Sequence, residues 1–169
     1  MNDSNCAKVA LPYPDLKVSE RNCMYAQLLM QDFSASKGED TAIHQYLYQA
    51  WTLRESYPEI YNTLMCISKV EMYHLNVLGN LITMLGGNPK YMCYHQNYTV
   101  VWNGNMMNYN HNVKQILLYD IALEQYAFDS YTAHAKAIKD ENVSAMLSRL
   151  ALDEHLHMEM FQNCLEKLS

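Results

Sequence analysis

With 169 residues, half of them hydrophobic, the chain is long enough for one domain with a sizeable core and too short for two comfortable ones. Five Gly and four Pro are too few for a many-turned β fold and favour helices. The net charge of -6, with no Lys/Arg cluster, gives no electrostatic support for a nucleic-acid or anionic-membrane partner. No stretch approaches the roughly 18 uncharged apolar residues of a membrane span. The opening "MNDSNCAKVALPYP" lacks a basic segment followed by an apolar run, so the expected location is the cytoplasm. Five cysteines, scattered and without a C-x-x-C pair, argue against a disulfide framework or a four-cysteine metal site. Buried free thiols in a reducing compartment are the expectation.

Residues 1–18, with Pro12 and Pro14, read as an extended arm. A short helix is expected from about Ser19 to Phe33, and a second from about Ser36 to Glu55. Pro58 allows a third, which Gly86, Gly87 and Pro89 then stop. A fourth is expected from about Asn112 to Ile138, and a fifth, capped by Asp140, to about Lys167. Residues 86–111 are a long connection with little helical character, in which Asn103-Gly104 could tip a small hairpin. Short–long–short connections suit two helical hairpins joined by one crossover. The expected fold class is all-α: an antiparallel four-helix bundle with a short N-terminal helix, forming a single domain over 1–169.

The chemistry lies on the inward stripes. In the last helix Leu147, Leu150, Glu154, His157, Phe161 and Cys164 share one face, apolar except at Glu154 and His157. In the third helix Ile67, Val70, Glu71, His74, Leu78 and Leu81 repeat the pattern. The second and fourth helices carry one inward carboxylate each, Glu39 and Glu124. Four buried carboxylates without compensation are too costly to tolerate, whereas two divalent cations balance them. Two Glu and two Glu-x-x-His pairs projecting into a bundle form the ligand set of a dinuclear carboxylate site. Oxygen-rich ligation with one imidazole per ion suits two iron or two manganese ions. Glu39 precedes Glu71 by 32 residues and Glu124 precedes Glu154 by 30, so the two halves repeat one another.

Tyr46 and Tyr131 each follow an inward Glu by seven residues, where a phenol could hydrogen-bond a ligating carboxylate across the bundle. The competing reading is that both merely fill core. Asp153 could orient a histidine on a neighbouring helix, although its counterpart in the other half is Val70. Asp120 and His134 drift onto the inward stripe as an extra ligand, a proton relay or polar packing. His44, His95, His111 and His155 have no partner pattern and read as surface or loop residues.

The segments "GEDTAIHQYLYQ", "SKVEMYHLNVLGNLITMLGGNPKY" and "LALDEHLHMEMF" resemble the ferritin-like superfamily, nearest to rubrerythrin-type and manganese-catalase-type proteins. The resemblance spans about residue 22 onward. It implies a diiron or dimanganese centre held by Glu39, Glu71, His74, Glu124, Glu154 and His157. It also implies redox chemistry on hydrogen peroxide or dioxygen, and commonly a homodimer. Rubrerythrins proper carry a rubredoxin-like C-x-x-C iron site that is absent here, so a peroxide reductase of this kind would need an external electron donor. In manganese catalases the residue matching Glu154 is a proton-transfer base, which leaves Glu154 open between ligand and base. The alternative from another class is an iron-handling or spore-coat-type assembly protein whose metal site is not a dedicated catalyst.

Overall fold

A computed structural model describes residues 6–95 and 98–168, with Tyr94 and His95 described through their backbone alone. Helix α1 spans Cys23–Ser34, not Ser19 onward: the Asn22 side chain accepts from the Met24 and Tyr25 amides and starts the helix there. The Ser19 amide is instead donated to Asp140 Oδ2 at 2.6 Å. Helix α2, Glu39–Leu53, begins after Gly38 and so three residues later than the sequence suggests. A Cβ on Gly38 would lie 2.5 Å from the Asp32 carbonyl oxygen, so only glycine lets α2 start this close to the end of α1. Glu39 is thereby fixed as the first residue of the helix.

Helix α3, Pro58–Met84, opens on a proline whose missing N–H is not needed there. It ends at Leu85, after which Gly86 takes φ +91°, the left-handed conformation of a helix stop. The crossover holds a two-stranded hairpin, β1 Met92–His95 against β2 Tyr98–Val101, with Met92 opposite Val101. Asn103-Gly104 is not its tip. That pair opens a single 3-10 turn, Gly104–Met106, because the Asn103 side chain caps the Asn105 amide. The β-branched run Thr99-Val100-Val101 makes the better strand. Trp102 donates to Thr41 and the Asn108 amide donates to Gln45, which pins the crossover along α2. Helix α4 is Val113–Ala137, and α5 is Glu141–Lys167 with Asp140 as its N-cap, as expected.

Helices α2 and α3 pack as one hairpin and α4 and α5 as the other. The core is divided in two. One cluster holds Leu29, Phe33, Leu78, Leu81, Leu147 and Leu150; the other holds Leu64, Ile67, Ile116, Leu117 and Phe161. Along α3 the division falls between Val70 and Val77, and along α5 between Ala151 and Phe161. The inward Glu and His residues occupy this gap. Among the described residues, no helix is long and apolar enough to cross a membrane.

The cysteines correct the sequence reading. Cys6 and Cys66 form a disulfide, with Cα atoms 5.9 Å apart across 60 residues of sequence. Nothing in the spacing announces a pair that only the folded arm brings together. Cys23 is exposed, whereas Cys93 and Cys164 are the buried thiols expected. Cysteine usage therefore no longer argues for a reducing compartment.

Candidate metal centre

All six residues of the expected ligand set meet in the gap between the two core clusters, and each is at least 95% buried. They fall into two groups in which every residue offers a ligand atom within 4.8 Å of the others. Glu39, Glu71, His74 and Glu154 form the first; Glu71, Glu124, Glu154 and His157 form the second. Glu71 and Glu154 belong to both, so the pairing in sequence becomes a pair of shared carboxylates between two terminal Glu/His pairs. His74 Nδ1 lies 2.8 Å from Glu154 Oε1 and 3.0 Å from Glu71 Oε2. His157 Nδ1 lies 2.7 Å from Glu71 Oε1 and 3.5 Å from both Glu124 and Glu154. Yet Glu71 Oε1, Glu154 Oε1 and His157 Nδ1 make no properly directed hydrogen bond although they are fully buried. Buried polar atoms that converge without bonding one another can serve as a ligand set, and these donors fit two manganese or two iron ions.

Each terminal carboxylate is held by a tyrosine of the opposite hairpin. Tyr46 of α2 donates to Glu124 Oε1 on α4, and Tyr131 of α4 donates to Glu39 Oε1 on α2. Both phenols are buried, so the expected placement across the bundle is what the fold delivers. The histidines present Nδ1 to the centre and are held from behind at Nε2. Asp153 Oδ2 faces His74 Nε2 at 3.3 Å, the orienting role its position suggested. In the other half Val70 offers nothing, and the Ala7 carbonyl accepts from His157 Nε2 at 2.8 Å instead. The sequence gives no sign of Ala7, because a backbone carbonyl has no residue signature. The clue available was the missing partner at Val70.

The electrostatics show how the metal-free protein tolerates six buried ionisable groups. Burial, followed by the neighbouring Glu71 charge, raises the Glu39 and Glu124 carboxyls well above their ordinary value, which favours their protonated forms. Burial pushes Glu71 and Glu154 the same way, but the histidines beside them outweigh it and hold both below the usual value. Burial would neutralise His74 and His157, but the facing carboxylates, Glu154 and Glu71 respectively, raise both well above an ordinary imidazole. Lowered Glu71 and Glu154 carboxyls beside raised His74 and His157 imidazoles favour opposite charges that offset one another, the kind of balance that metal ions would supply to these carboxylates.

A small cavity of about 10 Å³, room for about one water, opens on the centre between α2 and α4. Its wall includes Glu39, Glu71, Glu124, Glu154, Tyr46 and Tyr131, but neither histidine. At its outer end Lys37 Nζ sits 4.5 Å from the Tyr126 ring centroid. The centre thus has an open carboxylate face and a closed histidine face.

Asp120 and His134 are not in the cluster. His134 Nδ1 pairs with Asp32 Oδ2 at 2.6 Å near the cavity mouth, and Ser130 donates to the other Asp32 oxygen. Asp120 is fully buried and accepts from Gln45 and Gln49, at 2.8 and 3.1 Å. Burial, only partly offset by the two amides, lifts its carboxyl to about 7. A carboxyl raised on folding loses stability as pH climbs from its ordinary value towards the raised one. The metal-free protein should lose about 1.4 kcal/mol per pH unit from this group between roughly pH 4 and 7. Asp120→Asn should remove that slope and make the protein more stable at pH 8. Urea midpoints at pH 5 and 8 check this, and an unchanged slope in the variant would refute it. His44, His111 and His155 are exposed, as expected; the His95 side chain lies outside the described residues.

A four-helix bundle with four carboxylates and two imidazoles at mid-height defines the ferritin-like class. A model of the rubrerythrin family matches residues 33–167, and the chain belongs to that family. It is 24% identical over 177 residues to a probable manganese catalase of Clostridium acetobutylicum, covering 90% of this chain and 75% of the relative. Its structure is similar to that of KatB, a manganese catalase from Anabaena PCC7120, with a TM-score of 0.83 and 26% identity over 94% of this chain and 78% of that one. The Mycobacterium tuberculosis bacterioferritin BfrA shares the fold at a TM-score of 0.66, 18% identity and 88% coverage of each chain.

Proposed function

We propose that this protein is a dimetal oxidoreductase that breaks down hydrogen peroxide, converting two molecules to dioxygen and two waters. The observation that carries the reading is the small cavity that ends on carboxylates shared by both candidate metal groups. In this reading Glu39 and His74 would hold one ion and Glu124 and His157 the other, with Glu71 and Glu154 available to both. The likeness to manganese catalases favours manganese, and the ligand chemistry serves iron equally.

When bound, the ion pair supplies the change of oxidation state that cleaves the O–O bond. The chain's own residues do the rest. Tyr46 and Tyr131 keep Glu124 and Glu39 turned inward while lining the cavity. Glu154 combines the two roles open to it: it belongs to both metal groups, and it lines the cavity with a carboxyl held ionised. It is therefore the proposed carrier of the peroxide proton. The narrow cavity favours a small peroxide over bulky organic hydroperoxides. Disproportionation needs no electron donor, whereas peroxide reduction or turnover of dioxygen would draw on a separate donor protein or a small reductant. A homodimer in the cytoplasm is part of the same proposal, and a large shell or insoluble assembly would favour the iron-handling or coat-type alternative.

The test is oxygen evolution from peroxide by protein loaded with manganese or with iron. Turnover is expected only at two ions per chain, with Tyr46→Phe and Tyr131→Phe retaining metal but losing at least about tenfold in rate. A two-metal protein that leaves peroxide untouched, and with Fe(II) leaves dioxygen untouched, would sink the reading.

A further inference from the structure

The histidine face is closed by the N-terminal arm, and the arm is tied down beside a metal-binding residue. Cys6, disulfide-bonded to Cys66 of α3, immediately precedes Ala7, whose carbonyl holds His157 Nε2. Cys6 is exposed, while Cys66 and Ala7 are buried. Further along, the arm is anchored without the disulfide. The Val9 amide and the Tyr13 hydroxyl both donate to Asp153, at 2.8 and 2.5 Å. Arg149 donates to the Val9 and Leu11 carbonyls and packs its guanidinium 4.2 Å from the Tyr13 ring centroid. The anchors differ in kind: the His74 support is Asp153, itself held by the Val9 amide and the Tyr13 hydroxyl, and the His157 support is a carbonyl whose neighbour is a reducible bond.

We propose that the Cys6–Cys66 disulfide is a thiol-sensitive latch on one half of the metal centre, and that reducing it loosens the ion held by His157 while sparing the one held by His74. The proposal rests on the two-metal reading of the centre and not on the peroxide chemistry. A reductant of the dithiol class balances the step. Its thiolate attacks the exposed Cys6 Sγ, the S–S bond breaks, and Cys66 leaves as a thiolate that takes up a proton. The second thiol of the reductant then displaces Cys6, leaving two thiols on the chain and a disulfide on the reductant. Residues 6 and 7 lose their tether to α3, and the Ala7 carbonyl no longer fixes the ring of His157. Partners of this kind are worth about 10–100-fold in metal affinity.

Ion release from the two-metal protein into excess chromogenic chelator tests the latch, with and without a water-soluble phosphine reductant. Reduction should speed release of one ion of the two by about tenfold or more and leave the second unchanged. Cys6→Ser, a change at an exposed position, should show the fast phase without reductant and no further response to it. Cys23→Ser, which leaves the disulfide intact, should respond as the natural chain does. Release that ignores both reductant and Cys6→Ser would overturn the latch. Equal acceleration of both ions would overturn it too, because a general loss of stability acts on the whole bundle. Free thiols at Cys6 and Cys66 in air-isolated protein would do the same. A protein that takes up no metal before any reductant is added fails at the two-metal reading, a separate and earlier result.

Discussion

Loading the metal-free protein with two divalent ions near pH 7 should release about four protons. Glu39 and Glu124 are the expected sources of two, because burial and the Glu71 charge raise their carboxyls. His74 and His157 are the expected sources of the other two, because the facing carboxylates raise both imidazoles and Nδ1 faces the centre. Ligation requires all four to leave, so two ions with four positive charges replace four protons and the centre remains neutral. The sign follows directly. Metal competes with protons, so the combined affinity for both ions should climb by up to about four powers of ten per pH unit while all four sites are protonated. Below that window the protein should fold with its centre protonated and bind little metal. Calorimetric titrations in buffers of different ionisation enthalpy count the protons directly. A count near zero would mean that the four groups are already deprotonated in the empty protein.

Removing a shared carboxylate should cost both ions, and removing a terminal one should cost only one. Glu71→Gln takes a ligand from both groups, so the variant is expected to retain close to no metal after dialysis. Glu39→Gln touches only the His74 group, and about one ion per chain should remain with Glu124 and His157. The two variants should also part in stability without metal. Glu71 is the counter-charge of His157, at 2.7 Å, and its loss leaves a buried imidazolium unbalanced at a cost of about 3–5 kcal/mol. The raised Glu39 carboxyl favours its neutral form, so its amide substitute should be nearly neutral in stability. A plain bundle with surplus buried acids would behave in the opposite way, gaining stability when Glu71 is neutralised. Elemental analysis and urea melts of the two variants distinguish these outcomes. Two ions retained by Glu71→Gln would remove it as a shared ligand.

The parts of the centre that were legible in the sequence are those that interrupt a periodicity. Glu71, His74, Glu154 and His157 stand out because each occupies an inward position of a helix that is otherwise apolar there. Glu39 and Glu124 then follow from the repeat of the halves, and Tyr46 and Tyr131 from their matched spacing. What escaped depends on contacts between distant segments or on the backbone. Ala7 acts through its carbonyl, and the Cys6–Cys66 pairing exists only because the arm lies against α3. The odd number of cysteines argued the other way. Gln45 and Gln49, four residues apart on α2, were readable as a polar pair facing inward, but their partner Asp120 sits on another helix. Helix starts slipped by three or four residues where local caps decided them. Asn22 and Gly38 fixed starts that Ser19 and Ser36 had seemed to offer.

The small size of the carboxylate-side cavity has a consequence for electron traffic. A narrow opening with Lys37 and Tyr126 in its wall favours small reactants such as peroxide over bulky reductants. Any donor too large to enter must therefore pass its electrons through packed protein by tunnelling, without ever touching the reacting atoms. The same narrowness would keep the proposed chemistry at the centre apart from reductants that reach the exposed Cys6.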